Sequence, residues 1–395
     1  MEPGAGVAPV GPFAGALALL PPGDPAAPLA WVRAHGRVNL IGEHTDYAGG
    51  FVIPITISRA VRGVVRARAD GRVRIVSEGY GSDAFVVGDS ELHTGGWTAY
   101  PRAVVHVLAP RLQGLLTGFD LALTSDLPAD AGLSSSAAVE AAVAHAALAA
   151  AATDLEAREL AELCRTAEQL GSGVACGIMD QSVILRSVAG AAMLLDCRSG
   201  HATAVPFPSD VWSIVAIDTR KRRTLASSAY NDRRQATEDA TTELRARYPA
   251  VVDLSDVTPA MLAETPLPSP LDRRARHVVG ENERVMRMVV ALLEADLEGV
   301  ARLMAASHAS LRDDYEVSCP ELDALVAYAA GTGVGAGSRL TGAGFGGCTV
   351  NLVPRPAVTG FVTEIQQRYL ARFGLVPPAY ELTPGAPAAH GPLAL

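Results

Sequence analysis

Gly132-Leu133-Ser134-Ser135-Ser136-Ala137-Ala138, read GLSSSAA, stands between an alternating apolar run, Phe119 to Leu123, and an alanine-rich stretch, Ala137 to Ala152. The spacing predicts a strand whose closing loop turns directly into a helix. A helix start leaves backbone N–H groups without intrahelical partners, and the aligned peptide dipoles add roughly half a positive charge there. Such a place accepts phosphate. Gly132 lets the backbone come close to a ligand, and the three hydroxyls supply donors or a metal ligand. The competing reading is a plain helix cap, for which a single Ser suffices. This stretch alone leaves both open.

At 395 residues the chain exceeds the usual size of a single core, so two domains are expected. A 49% hydrophobic and 19% charged composition describes a globular protein able to bury a core. A net charge of −9 and a pI near 5.5 argue against a nucleic-acid surface. An anionic substrate would therefore need basic residues placed locally. The five cysteines, Cys164, Cys176, Cys197, Cys319 and Cys348, show no CxxC or Cys/His clustering, which suggests neither a disulfide framework nor a structural zinc site. Glu2 and the Pro21-Pro22 stop argue against a secretory signal, and no uninterrupted apolar run reaches the ~18 residues of a membrane span. Residues 1–28 are expected to be a loose leader, 29–203 a first domain and 204–395 a second, with the break near Ser199 to Pro208.

Upstream of the Ser loop, Ala34 to Tyr47 sets Arg37, Glu43, His44 and Asp46 among Gly42 and apolar Val38, Leu40 and Ile41. This pattern makes a poor helix and an interrupted strand, and suits a folded-in loop with its polar groups turned to one pocket. Glu43, His44 and Asp46 have the donors and acceptors to grip vicinal sugar hydroxyls; the alternative is a solvated acidic turn. Val61 to Ala69 and Arg72 to Ser77 alternate about Asp70-Gly71 and are read as a β-hairpin whose arginines form a wet face. Trp97 to Leu108 reads as helix.

Downstream, Leu155 to Leu170 is expected to be helical, with Glu168 near the end where a carboxylate opposes the dipole. Asp180 lies among apolar neighbours after three glycines and needs a partner, whether as a helix cap or as a catalytic carboxylate. Ala189 to Cys197 and Val211 to Asp218 read as strands; Ser227 to Tyr248, Ala275 to Ala295 and Glu321 to Ala330 read as helices. Gly342 to Cys348, after Arg339, forms a tight glycine loop before the strand Thr349 to Val353. No Walker loop or protein-kinase motif set occurs, and the strand after that glycine loop excludes a Rossmann fingerprint.

Taken together, GRVNLIGEHTDY at 36–47, PADAGLSSSAA at 128–138 and GAGFGGC at 342–348 resemble the GHMP small-molecule kinase superfamily, and within it the galactokinase family. HVVGENER at 277–284 and SLRDDYEVSCPELD at 310–323 are similar to the same family, and the likeness spans roughly residues 31–385. The resemblance implies an α/β (α+β) fold of two domains with the active site in the cleft between them. It implies transfer of the ATP γ-phosphoryl to the anomeric hydroxyl of galactose, with Mg2+ as cofactor. By the same resemblance Asp180 is the catalytic carboxylate and Arg37 the stabilising base. Asp130, Ala131, Gly132, Leu133, Ser134, Ser135 and Ser136 would form the ATP phosphate cradle, with Ser77 and Trp97 bordering the nucleotide. Ser136 and Glu168 would hold magnesium; Glu43, His44, Asp46, Asp180 and Tyr230 would bind the sugar. The family usually has Pro where this chain has His35, and Gly where it has Asp130. The expected partners are galactose and MgATP, without nucleic acid or membrane, for a cytoplasmic monomer. A kinase for N-acetylgalactosamine, arabinose or a uronic acid, or a non-catalytic galactose and ATP sensor, are the alternatives.

Overall fold

The structure is a computed structural model, described for residues 8–89, 92, 94–129, 131–222 and 226–394. Among these, sheets of seven, four and three strands are combined with helices. The seven-stranded sheet is centred on Leu29–Asn39, Pro54–Ala67 and Phe119–Ser125, and the Ser-loop helix Ser135–Ala150 packs against its strands. That helix suits its place. Its many alanines let backbone approach backbone, and ten of its residues, from Ala137 to Leu148, are buried.

The second sheet orders Gly337–Leu340, Cys348–Pro354, Trp212–Asp218 and Ala379–Leu382, all antiparallel. Val215, Ile217 and Val353 pack with Leu325, Phe361, Ile365 and Tyr369 from the helices Pro320–Gly331 and Val358–Phe373. Ile214, Ala216, Val350 and Leu352 belong instead to the large core that also holds Val32, Leu121 and Ala141. The two halves therefore share one continuous apolar core.

Several expectations needed correction. The stretches read as a hairpin are not paired with each other. Phe119–Ser125 lies between them, antiparallel to Pro54–Ala67 and parallel to Arg72–Ser77. Alternation and a turn residue specify local strand geometry, whereas the partner is chosen by burial, and the first five residues of Phe119–Ser125 are buried. The arginine face is not simply wet either. Asp120 stands directly opposite both Arg66 and Arg74, and Arg66, Arg68 and Arg74 all bond its buried carboxylate. Burial opposes ionisation of Asp120, but the arginines outweigh it and hold its pKa below the usual carboxylate value.

The described part of the segment expected to be a loose leader packs on the first sheet. Ala8–Pro9 pairs with the last strand, and Phe13 and Ala16 pack with Trp31, Val64 and Leu393. The chain end departs from the 204–395 division, because Ala389–Ala394 returns to pair with Leu29–Asn39 in the first sheet. The presumed break contains a strand, Ala202–Pro206, paired with Ala191–Asp196. Trp97 precedes its helix, which runs Ala99–Leu108.

Candidate active site

A cleft of about 870 Å3 opens between the Ser loop, the sugar-signature segment and the glycine loop at 342. Arg37 reaches it from Leu29–Asn39, where the register shifts between His35 and Arg37. Such a bulge re-aims a side chain. Gly36 makes the approach possible: the Arg37 N–H donates to Leu133 O at 3.2 Å, and a Cβ on Gly36 would lie 2.7 Å from that same oxygen.

Arg37 is 5% exposed and grips Asp180 with two hydrogen bonds, Nε to Oδ1 at 2.7 Å and Nη2 to Oδ2 at 2.8 Å. Its Nη1 donates to Gly132 O at 2.7 Å, so one guanidinium joins the carboxylate to the Ser loop. Burial works against this cation, but Asp180 and Glu43 more than offset it and its pKa ends above the usual arginine value. Asp180 lies in the first turn of Met179–Arg186, where the helix dipole favours a carboxylate. A carboxylate has about four acceptor positions. Arg37 occupies two and the Ser134 hydroxyl donates to Oδ2, which leaves one position, on Oδ1.

The helix-cap reading of the Ser loop does not describe what its hydroxyls do. Ser134 takes the cap position in left-handed geometry, φ 58°, yet its side chain makes no cap bond and turns to Asp180. Ser136 Oγ donates to Glu168 Oε1 at 3.1 Å. The N–H groups of the helix start are thus left without a side-chain cap beside the cleft, as anion binding requires. Gly132, Ser134, Ser135 and Ser136 line the cleft, whereas the side chains of Ala131 and Leu133 are in the core, leaving only their backbone to serve. Asp130 lies outside the described residues. Ser77 and Trp97 both line the cleft.

Ser136 and Glu168 supply only oxygen, the donor type that Mg2+ prefers. Glu168 is pushed above the usual carboxylate range by burial and by the charge of Asp180, a strain that a bound cation would relieve. No group of three or more His, Cys, Asp or Glu placed to hold a metal ion occurs among the described residues.

The four other residues expected to bind the sugar, Glu43, His44, Asp46 and Tyr230, all line the cleft. Asp46 accepts from the Tyr47 and Met179 N–H groups, and burial together with the charges of Asp180 and Glu43 pushes its pKa up to about 7. A Cβ on Gly177 would collide with its carboxylate, which explains the glycine in CGIMDQ. His44 donates or accepts through Nδ1 at Tyr47 Oη, 2.8 Å away, and packs within 5.5 Å of the Tyr230 ring and 4.9 Å of the Tyr315 ring. Glu43 has a second duty. Its Oε1 accepts from Gly342 N at 2.6 Å and Thr341 Oγ1 at 3.2 Å, and Oε2 accepts from Asn39 Nδ2 at 3.0 Å, so it also ties the signature segment to the glycine loop.

Sequence reasoning assigned no role to Ser134 individually, to Gln181, or to Tyr47 and Tyr315, whose hydroxyls meet at 2.8 Å behind His44. The only linear signals were that Gln181 follows Asp180 and that Tyr315 lies in the segment SLRDDYEVSCPELD.

Two α/β units with a Ser-loop helix start, a bidentate Arg–Asp pair and an oxygen-donor pair in one cleft define a small-molecule kinase of the GHMP class. Residues 99–187 match the GHMP kinases N terminal domain and 288–369 the GHMP kinases C terminal domain. Residues 23–67 match the galactokinase galactose-binding signature. The chain is 47% identical over 342 residues to the galactokinase of Roseiflexus sp. (strain RS-1), covering 86% of this chain and 87% of that one. It is 38% identical over 355 residues to the galactokinase of Bacillus subtilis (strain 168), covering 88% and 90%. Lactococcus lactis galactokinase, solved with galactose, superposes with a TM-score of 0.87 at 32% identity, covering 91% of this chain and 95% of that one. The chain belongs to the galactokinase family. Methanococcus jannaschii mevalonate kinase, at 17% identity and a TM-score of 0.66 over 92% of this chain and all of that one, shares the fold.

Proposed function

We propose that the chain transfers the γ-phosphoryl group of ATP to the anomeric hydroxyl of galactose, giving galactose 1-phosphate and ADP. The observation that carries this reading is the single guanidinium of Arg37, which bonds both Asp180 and the Ser-loop carbonyl of Gly132. It stands where the sugar residues and the phosphate cradle meet. Phosphoryl transfer asks chiefly for positioning and for neutralisation of charge. The remaining acceptor position on Asp180 Oδ1 receives the sugar hydroxyl and aims its oxygen; as the new P–O bond forms and the bond from the γ-phosphorus to the β,γ-bridging oxygen breaks, the hydroxyl proton passes to Oδ1 and ADP leaves with the bridging oxygen. Arg37 holds the carboxylate in place and faces the charge developing on the moving group. Asp46, Glu43, His44 and Tyr230 fix the sugar, and the N–H groups from Gly132 to Ser136 hold the polyphosphate. Ser136 and Glu168 would hold magnesium, whose charge would offset that of the phosphates.

Five free cysteines support a reducing, cytoplasmic setting. A coupled ADP-release assay over galactose, N-acetylgalactosamine, arabinose and a uronic acid tests the proposal. Galactose is expected to give the highest kcat/KM. Binding of galactose and ATP without turnover on any sugar would refute it in favour of a sensor.

A further inference from the structure

Behind the Ser136 and Glu168 pair lies a carboxyl group that the reaction as described does not use. Glu140 follows Ser136 by four residues on the same helix and therefore shares its face, but it is 0% exposed and does not line the cleft. Its Oε2 accepts from Gln181 Nε2 at 3.2 Å. The same Nε2 donates to Glu168 Oε2 at 2.5 Å, so one amide nitrogen spends its two hydrogens on two carboxyl groups. Glu168 is thereby held from both sides, by Ser136 on Oε1 and by Gln181 on Oε2.

We infer that Glu140 and Gln181 are positioning residues for the metal site, Glu140 fixing the Gln181 amide so that Glu168 keeps one orientation beside Ser136. The alternative is that Glu140 merely fills the core. Its chemistry argues otherwise. Glu140 Oε1 has no hydrogen-bond partner among the described residues, and a buried carboxyl with a single amide contact is costly compared with an alkyl side chain of the same size. Burial, then the charge of Glu168, push its pKa well above the usual carboxylate range. Its acceptor oxygen at this point orients the amide toward Glu168. Gln181 is likewise 1% exposed, and its own rotation is limited by the helix Met179–Arg186 that also carries Asp180. Asp180, held by Arg37 and Ser134, and Gln181, which holds Glu168, are thus adjacent in one helical turn.

The inference rests on the assignment of Ser136 and Glu168 to magnesium, and the test separates the two. Calorimetric affinities for ATP with Mg2+, for ATP with a chelator and for galactose are measured without turnover, alongside the Mg2+ half-saturation of the kinase. Glu140→Leu, which keeps volume and removes the acceptor, is expected to weaken MgATP about tenfold and leave metal-free ATP and galactose within about twofold. Glu140→Gln keeps an acceptor oxygen and is expected to restore MgATP affinity. Should the Leu variant fail to fold, Gln181→Met is expected to give the same selective loss. Equal weakening of all three ligands, or unchanged MgATP affinity in whichever of these two variants folds, would overturn the inference. Glu168→Gln is the reference. If it weakens MgATP selectively while Glu140→Leu does not, only the positioning role falls; if it leaves MgATP unaffected, the metal assignment itself falls.

Discussion

Replacing Asp46 by Asn should stabilise the unliganded protein at pH 8 while weakening its hold on galactose. In the folded chain the Asp46 carboxyl titrates near pH 7, against 3.8 for the free side chain, because it is removed from water beside Asp180 and Glu43. Between about pH 4 and 7 the folded state therefore binds more protons than the unfolded state, and stability falls as pH rises through that window. A shift of about three pKa units corresponds to roughly 4 kcal/mol, at 1.36 kcal/mol per unit. Asp46 is only half-buried, so solvent screening reduces this to about 2 kcal/mol. Asn removes the charge but offers one oxygen to the two N–H groups, from Tyr47 and Met179, that the carboxylate satisfies, a loss of about 1 kcal/mol. The net gain at pH 8 is about 1 kcal/mol, a rise in Tm of about 1–2 °C for a chain of this size. At about pH 3, below the unfolded value of 3.8, Asp46 is protonated in both states, the electrostatic gain vanishes and the variant should be the less stable by about 1 kcal/mol. Scanning calorimetry at the two pH values reads the crossover, and titration with galactose reads the functional cost, expected at tenfold or more if a sugar hydroxyl loses its partner, about 1.4 kcal/mol. If the Asn variant is destabilised equally at about pH 3 and pH 8, the buried-charge reasoning is wrong.

Asp180→Asn is expected to abolish turnover with ATP affinity preserved, since the phosphate cradle lies elsewhere; turnover within about threefold of wild type would remove Asp180 from the mechanism. Arg37→Ala should lower kcat by about 10³-fold or more, the scale of arginines that act on phosphoryl transfer, and a pure KM effect in steady-state kinetics would mean ground-state binding only. Asp120→Ala leaves Arg66, Arg68 and Arg74 without their shared buried partner and should cost about 3 kcal/mol in chemical denaturation at pH 7. Because the Asp120 pKa is depressed in the folded state, the wild-type advantage should be full above about pH 4 and disappear as acid protonates it; an advantage that persists at pH 2 would contradict the ion-pair account.

The sequence by itself named the candidate parts of the site. GLSSSAA specified a helix start in a strand-to-helix turn because Ser, Gly and Ala act locally, through backbone freedom and helix propensity. Arg37, Asp46, Glu168 and Asp180 stood out because charges among apolar or glycine neighbours need partners. Long periodic helices such as Ala226–Arg247 and Leu271–Leu293 were legible for the same local reason. Tertiary structure alone decided the pairing. Residues 61–77 carry a hairpin's pattern, yet Phe119–Ser125 separates the two strands, since alternation records which face is buried and not which strand lies beside it. The arginines that looked solvated converge on Asp120 only once that strand is in place. No local signal told that Ala389–Ala394 would return to the first sheet, or that Ser134 would leave its cap for Asp180. Glu140 shows the limit most clearly: it reads as an ordinary polar residue on an alanine helix, and its place behind Glu168 exists only because the helices Ser135–Ala150, Ala157–Ser172 and Met179–Arg186 pack together and exclude water from the space between them.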